Sequence, residues 1–570
     1  MAGPSARTLA HELAGRDDRS LAALLGARRI APGSDWNDAF DAAEHLLDPS
    51  SIARALKELT AAEADALASA LEGTAPPGAA RDALAERALV DAEGRAWDSV
   101  ADAFRTTERF SPPAPSAPAP APETPEAAAE RAFTASASLA DVLHAALAAP
   151  LGRIGSGTLG AVDRRRLIEA GAVEDAAAAD ELVAIGETAG LLFAEDRSIL
   201  VTSAGVDWLS SSTLARWAEV AERLLAALPA GIRSTGGALT PVASWAGAYP
   251  FDPAWPAQAD AFAGLLHRWA VTGVDGAPST WMGSAFGGGT PDLDALASRL
   301  PPEVDRVYLQ NDLTAIAPGA LAPHLDVRLR SMARRESRAQ ASSYRFSAET
   351  LADALTAGET ADSLRSFLLG LSLTGLPQPL AYEIERSAGR HGALRVGPDG
   401  SGRTRITSAD PALLETIAVD QALRPLGLVP DGDALITRTS PDTAFWMIAD
   451  ARYPVVAVDV DGSRRALDRH RLARIPAEDP DPAEVYADLI ARLRAAQSGD
   501  ADAAWLGREL EQAVRGRATI AVTVLLPDGI EREFVVEATG LGGGRLRGLD
   551  RTVDVERTLP VSSIVRLRAV

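Results

Sequence analysis

The sequence predicts an α+β multidomain protein with a helical N-terminal part, winged-helix units, a mixed α/β domain and a small C-terminal β-barrel. Three observations carry that expectation. The 570 residues suffice for about four domains of about 150 residues each. Apolar residues recur at helical spacing near the start of the chain and at strand spacing near its end. Between them, a helix followed by strand, turn and strand returns three times.

From the N-terminus, Leu9, Leu13, Leu21, Leu24 and Leu25, then Ile52, Leu56, Leu59, Leu67 and Leu71, mark helices with one apolar face, so 1–110 reads as a helical and winged-helix domain. Residues 111–130, with the proline/alanine run from Pro112 to Glu130, read as an extended linker. The recurring pattern occupies 84–104, 183–205 and 383–410. A helix ending in a two-stranded hairpin is the tail of a winged helix, which makes 131–212 such a domain. There "GTLGAVDRRRLIEAG" (157–171) is the candidate recognition helix, with Gly155 and Gly157 in the preceding turn. Its Arg164, Arg165 and Arg166 suit DNA phosphates and guanine edges, or equally a solvated helix face.

Residues 213–300 read as a helical domain in which Trp217, Trp245, Trp255 and Trp269 anchor the packing, with 281–292 as a flexible connection. Residues 301–476 alternate strand and helix. In 484–570, five short strand-like runs separated by tight turns predict a barrel of SH3-like size.

Composition narrows the chemistry. Among 56 basic residues only Lys57 is lysine, and "IARALKELT" is no phosphate loop, which excludes a P-loop ATPase in this sequence. Cysteine is absent, so thiol and disulfide chemistry are excluded and a reducing cytoplasm is expected, with nucleoid association compatible. No apolar stretch has the length of a membrane span, and no membrane partner is expected. "GSGTLG" (155–160) matches Gly-x-Gly-x-x-Gly but follows an amphipathic helix rather than a strand, so a turn is expected and no cofactor. The seven histidines are dispersed, without metal-ligand spacing. No catalytic residues stand out, and the chain reads as a non-enzyme.

Charge patterning remains. The net charge is −22, yet between His324 and Arg345 the residues Arg328, Arg330, Arg334, Arg335, Arg338 and Arg345 face only Asp326 and Glu336. Such a reversal points to a polyanion or an acidic partner, or to internal salt bridges. Helical spacing would put Arg328, Arg335 and Arg338 on one face and Leu325, Leu329 and Met332 on another. The barrel adds a milder excess that includes Arg545 and Arg547.

Residues 306–396 resemble the N-terminal domain of XPB/Ssl-type DNA-repair helicases, as found in actinobacterial helicase-associated proteins. The resemblance rests on ordered motifs: "LQNDLTAIAPG", Arg335-Glu336-Ser337, "YRFS", "GETADSLRSFL", "GLPQPL" and "GRHGALRV". The C-terminal barrel is similar to a WYL-like domain, without the Trp-Tyr-Leu signature. In the helicases this domain precedes the ATPase motor and engages damaged DNA or partner proteins. The resemblance therefore implies a non-catalytic DNA-repair or helicase-associated accessory protein that binds DNA, an XPB-type helicase or another repair protein. Two alternatives stay open: a winged-helix transcriptional regulator with a ligand-sensing barrel, and a protein-only scaffold.

Overall fold

The computed structural model describes residues 6–74, 76–112, 121–155, 157–338, 341–465, 467, 471–475, 480–496, 501–526, 529–551 and 553–569, with the side chains of 337, 338, 501, 502, 568 and 569 left out. Helices dominate, with sheets of three, six, five, two and four strands among these residues. None of the helices is long and apolar enough to cross a membrane. The chain forms two compact units, one of 1–118, 229–262 and 476–570, the other of 119–228 and 263–475.

In the first unit, the helical stretch from Ala6 to Thr106 buries the predicted apolar residues except Leu71, which is half-buried; Leu9, Leu24, Leu25, Ile52, Leu56, Leu59 and Leu67 are fully enclosed. Acidic N-caps fix several helix starts: Asp17, Asp38 and Asp48 each accept backbone N–H groups of the first turn. Arg28 is buried among acceptors, donating to Leu46 O (2.6 Å), Ser51 Oγ (2.8 Å) and Arg87 O (2.8 Å). Burial pushes its guanidinium down to about 10.

The C-terminal part of the chain closes this same core. Tyr486, Leu489, Ile490, Leu493 and Trp505 belong to it, and Tyr486 Oη donates to Ile30 O at 2.8 Å. Arg508 reaches Asp38 (3.2 Å), Asp41 and Glu44 (3.0 Å) and lies over the Phe40 ring at 4.5 Å. Pro482–Val485, Ala487–Ala495 and Ala501–Gly516 are therefore helices, and the strands begin only at Thr519.

The five C-terminal strands appear close to their expected positions, as one antiparallel sheet in the order 555–560, 545–550, 531–542, 519–525, 564–569. Its apolar face, including Val522, Phe534, Val536 and Leu546, packs with Leu506 and Leu510. The expected barrel does not close. The outer strands 555–560 and 564–569 share no ladder among the described residues, and the 3-10 turn Val561–Ser563 carries the chain from one edge to the other.

The second unit opens with a correction to the linker. Residues 113–120 lie outside the described residues, but Pro125–Ala148 is a single helix with Thr124 as N-cap. Proline at N1 suits a helix start, and the alanines that follow are strong helix formers, so "PEAAAE" belongs to the helix and not to a linker. Next come the short strand Leu151–Gly152, helices Ala161–Glu169 and Ala176–Thr188, and the hairpin 192–195/198–201, whose second strand pairs with Leu151–Gly152 to give the order 151–152, 198–201, 192–195. In the "GSGTLG" turn Gly157 has φ +90°, a value that favours glycine. The strand before that turn is antiparallel to its neighbour, which is not the parallel arrangement of a dinucleotide fold.

The tryptophans are anchors, as expected. Trp217, Trp245, Trp255 and Trp269 are all buried. Trp217 and Trp269 donate their indole N–H groups to each other's carbonyls at 2.7 and 2.9 Å. The stretch 281–292 is not simply a flexible connection: Trp281 and Met282 are fully buried, and Gly283–Phe286 is helical, because the Trp281 ring packs edge-on against Trp217 at 6.2 Å.

From Val307 a four-stranded sheet in the order 308–309, 314–317, 342–345, 334–338 precedes the helices Ala348–Thr356, Ala361–Leu371 and Gln378–Arg390. A six-stranded sheet follows, built on the hairpin Leu394–Pro398/Thr404–Ser408, with 394–396 parallel to 455–457. Of the three recurring patterns, the second and third form full hairpins, while the first is reduced to a single bridge, Val90 to Ala96.

Candidate nucleic-acid or partner interface

The arginines singled out in the sequence fall into two physical groups, those locked into ion pairs and those facing solvent. Arg164 and Arg166 are locked. Arg164 Nε meets Asp180 at 2.8 Å, while Arg166 Nη2 meets Asp163 at 3.0 Å and donates to Ala149 O at 2.9 Å. Arg165 is exposed.

Their helix is not the one that runs into the hairpin. In a helix–helix–hairpin unit the helix that runs into the hairpin is the one that enters a DNA groove, and here that is Ala176–Thr188. It carries Asp180, Glu181 and Glu187 and no basic residue, and no residue from Ala178 to Gly190 is exposed. Asp180 pairs with Arg164 and Glu181 with Arg268 (2.6 Å). Three adjacent arginines look alike in the sequence, and the fold gives two of them acidic partners.

The His324–Arg345 segment breaks its helix. Pro323–Arg330 is helical, but Arg334–Arg338 is a strand paired with Ser342–Arg345. Arg328 and Arg335 therefore share no helix face, and Leu329 and Met332 are core residues on either side of the break. Strand pairing next to buried Tyr344 and Phe346 overrides the local helical spacing.

The segment's centre is internal. Asp141, buried in the Pro125–Ala148 helix, accepts from Arg330 at 2.7 Å and from Arg335. Arg330 Nε also meets Asp326 at 2.9 Å, and Asp326 accepts the Tyr344 hydroxyl at 2.6 Å. Burial opposes charge on Arg330, but Asp326 and Asp141 outweigh it and hold its guanidinium above the usual range. Burial, reinforced by Asp326, likewise pushes the Tyr344 phenol up. Nearby Arg216, stacked on Trp208 at 5.1 Å and donating to Trp208 O at 3.1 Å, is pushed down to about 10 by burial.

The others are peripheral. Arg328 grips Glu359 at 3.0 and 3.2 Å and lies over Phe367 at 4.4 Å. Arg345 meets Glu336 at 2.5 Å, and Arg334, directly opposite Arg345 across the ladder, is exposed. Arg338 pairs through its backbone with Ser342, and its side chain lies outside the described residues. In the C-terminal sheet Arg545 and Arg547 are exposed.

One titratable group completes the buried cluster. His144, one turn from Asp141, has a buried Nε2 with no hydrogen-bond partner among the described residues. Burial, aided by Arg330, pushes its imidazole down to about 3. Because the unfolded chain takes up this proton at about pH 6.5 and the fold does not, stability falls by up to about 1.4 kcal/mol per pH unit below about 6.5 and is unaffected above it. Denaturant midpoints of wild type and His144→Leu at pH 7, 6 and 5 are expected to diverge, with wild type falling more steeply; parallel lines would refute the assignment.

Residues 307–430 match the family model of the helicase conserved C-terminal domain. No curated protein matches the chain. The match contains every arginine of the 328–345 segment together with the Gln378–Arg390 helix, and it supports a helicase-associated protein with a nucleic-acid or helicase-related partner.

Proposed function

We propose that this chain is a non-catalytic accessory protein of helicases, acting in DNA repair or a related DNA transaction beside a separate motor chain. The observation that carries this reading is the helicase-type segment 307–430 in a sequence whose single lysine, Lys57, ends the ordinary helix Pro49–Lys57. The ordered motifs from Leu309 to Val396 favour the XPB/Ssl type within that class.

The order helix, strand, helix, helix, hairpin in the described residues of 125–201 supports a winged-helix reading, and its sealed third helix favours a protein-packing role for this unit over operator reading. The open five-stranded C-terminal sheet is the part of the chain to which the WYL-like resemblance applies. Affinity capture of the tagged full-length chain from its native cells is expected to retrieve a motor helicase. Retrieval of only non-helicase proteins would favour the scaffold reading and overturn this one.

A further inference from the structure

The two helix–helix–hairpin units differ in one respect that bears on partners. The first has its hairpin-leading helix sealed. In the second, the helices Ala348–Thr356 and Ala361–Leu371 support the helix Gln378–Arg390, which runs into the hairpin Leu394–Pro398/Thr404–Ser408.

Leu380, Ile384 and Ser387 face the core, whereas Gln378, Pro379, Tyr382, Glu385, Arg386, Gly389 and Arg390 are exposed, with Tyr382 at 68%. At about 100° per residue these exposed positions fill a single continuous arc of the helix. The hairpin adds exposed Arg395. Its tip is fixed by Asp399, which accepts from the backbone of Ser401 (2.8 Å) and Arg403 (3.0 Å) and from Arg403 Nε (2.9 Å).

We propose that this helix and hairpin form a docking surface for duplex DNA. The claim rests on the helicase-associated reading and names the surface through which such a protein would meet its nucleic acid. Glutamine and arginine on one exposed helix face are the residue types that read adenine and guanine edges in a major groove, and Arg390 and Arg395 flank them as phosphate ligands. A helix fits the wide major groove of B-form DNA and not the narrow one of A-form RNA, which selects DNA.

Charge agrees with this choice. From Gln378 to Ser408 five arginines stand against Glu383, Glu385 and Asp399; Arg403 pairs with Asp399 and Arg405 with Asp431 at 2.8 Å, so the basic character of the surface rests on exposed Arg386, Arg390 and Arg395. The acids on the helix are already engaged: Glu385 by Arg365, and Glu383 by Arg386 at 3.3 Å. In the latter pair the Glu383 carboxylate is only 13% exposed while the Arg386 guanidinium is half-exposed, so a phosphate would meet Arg386 from its solvent side.

The test is fluorescence anisotropy of the full chain with a labelled duplex between about 50 and 200 mM salt. Arg386→Glu/Arg390→Glu/Arg395→Glu, at exposed sites, is expected to melt like wild type and to bind about tenfold or more weakly. Its salt slope is expected to fall by about one for each phosphate that is no longer neutralised. Tyr382→Ala is expected to weaken binding without changing that slope. Unchanged affinity in the folded triple variant overturns the surface.

A wild-type chain that binds no duplex yet still retrieves a helicase overturns the DNA surface and leaves the accessory reading intact. Duplex binding that disappears in the triple variant, from a chain that retrieves no helicase, supports the surface and overturns the accessory reading. Loss of helicase capture on Tyr382→Ala, with DNA binding unchanged, makes the face a protein-docking site and also overturns the proposal.

Discussion

Asp141→Ala is expected to destabilise the second unit by about 3–5 kcal/mol, the range for removing one partner of a buried ion pair. The side chain is 4% exposed and serves both Arg330 and Arg335, themselves only 14% and 17% exposed. Its loss leaves two enclosed guanidinium groups, of which Arg330 alone retains a carboxylate among the described residues, Asp326. Denaturant unfolding of the full chain, read by a probe within 119–228 or 263–475, measures the loss.

A second variant separates charge from packing. Asp141→Leu combined with Arg330→Met, Arg335→Met and Asp326→Asn, whose amide oxygen still accepts the Tyr344 hydroxyl, is expected to recover most of the stability, because uncharged groups of similar size replace the buried ion pairs at little cost. If the single variant costs under about 1 kcal/mol, as an exposed pair would, the network does not hold the fold. The same geometry changes the meaning of a charge reversal at Arg334, Arg335 and Arg338. Arg335→Glu faces Asp141 and acts through stability, whereas Arg334→Glu acts only at the surface.

Trp217→Ala is expected to cost about 3–5 kcal/mol through the cavity it leaves. The indole is fully buried, packs edge-on against Trp281, and exchanges reciprocal hydrogen bonds with Trp269. Truncation also removes the donor to Trp269 O, a further penalty for an enclosed carbonyl. Trp217→Phe retains much of the ring volume and loses the donor, so its expected cost is smaller. Equal losses for Ala and Phe would mean that the hydrogen bond, and not the packing, carries the effect.

Elements whose signal is local were legible in the sequence. The five C-terminal strands, the hairpins after Val183 and Glu383, the leucine-lined N-terminal helices and the tryptophan anchors all follow from periodicity and turn residues within a short window. Features set by distant partners were not. Arg330 and Arg335 lie 189 and 194 residues from Asp141, so six arginines in a short stretch looked like a free basic patch. Tyr486 lies 456 residues from Ile30, and no local pattern announces that C-terminal helices complete the N-terminal core.

The strand at Arg334–Arg338 was hidden for a related reason. Its residues are nearly all polar, so only the pairing with Ser342–Arg345 and the pull of Asp141 identify it as a strand. Barrel closure also depends on pairing between distant edges, which strand content alone does not specify. The exposed face of Gln378–Arg390 lies partly in the recurring helix–hairpin pattern at 383–410, whose spacing does not say which side of the helix stays uncovered. Finding it required knowing which of the two hairpin-leading helices the rest of the chain leaves uncovered.

The proposed accessory role has this chain assisting a motor without being one. Nucleic-acid-stimulated ATP hydrolysis by the purified full chain, alone and together with the helicase captured from its native cells, tests that most directly. The account predicts no hydrolysis by the chain alone, and DNA-dependent hydrolysis in the mixture that changes when the chain is withdrawn. DNA-stimulated ATP hydrolysis by the purified chain alone would contradict it.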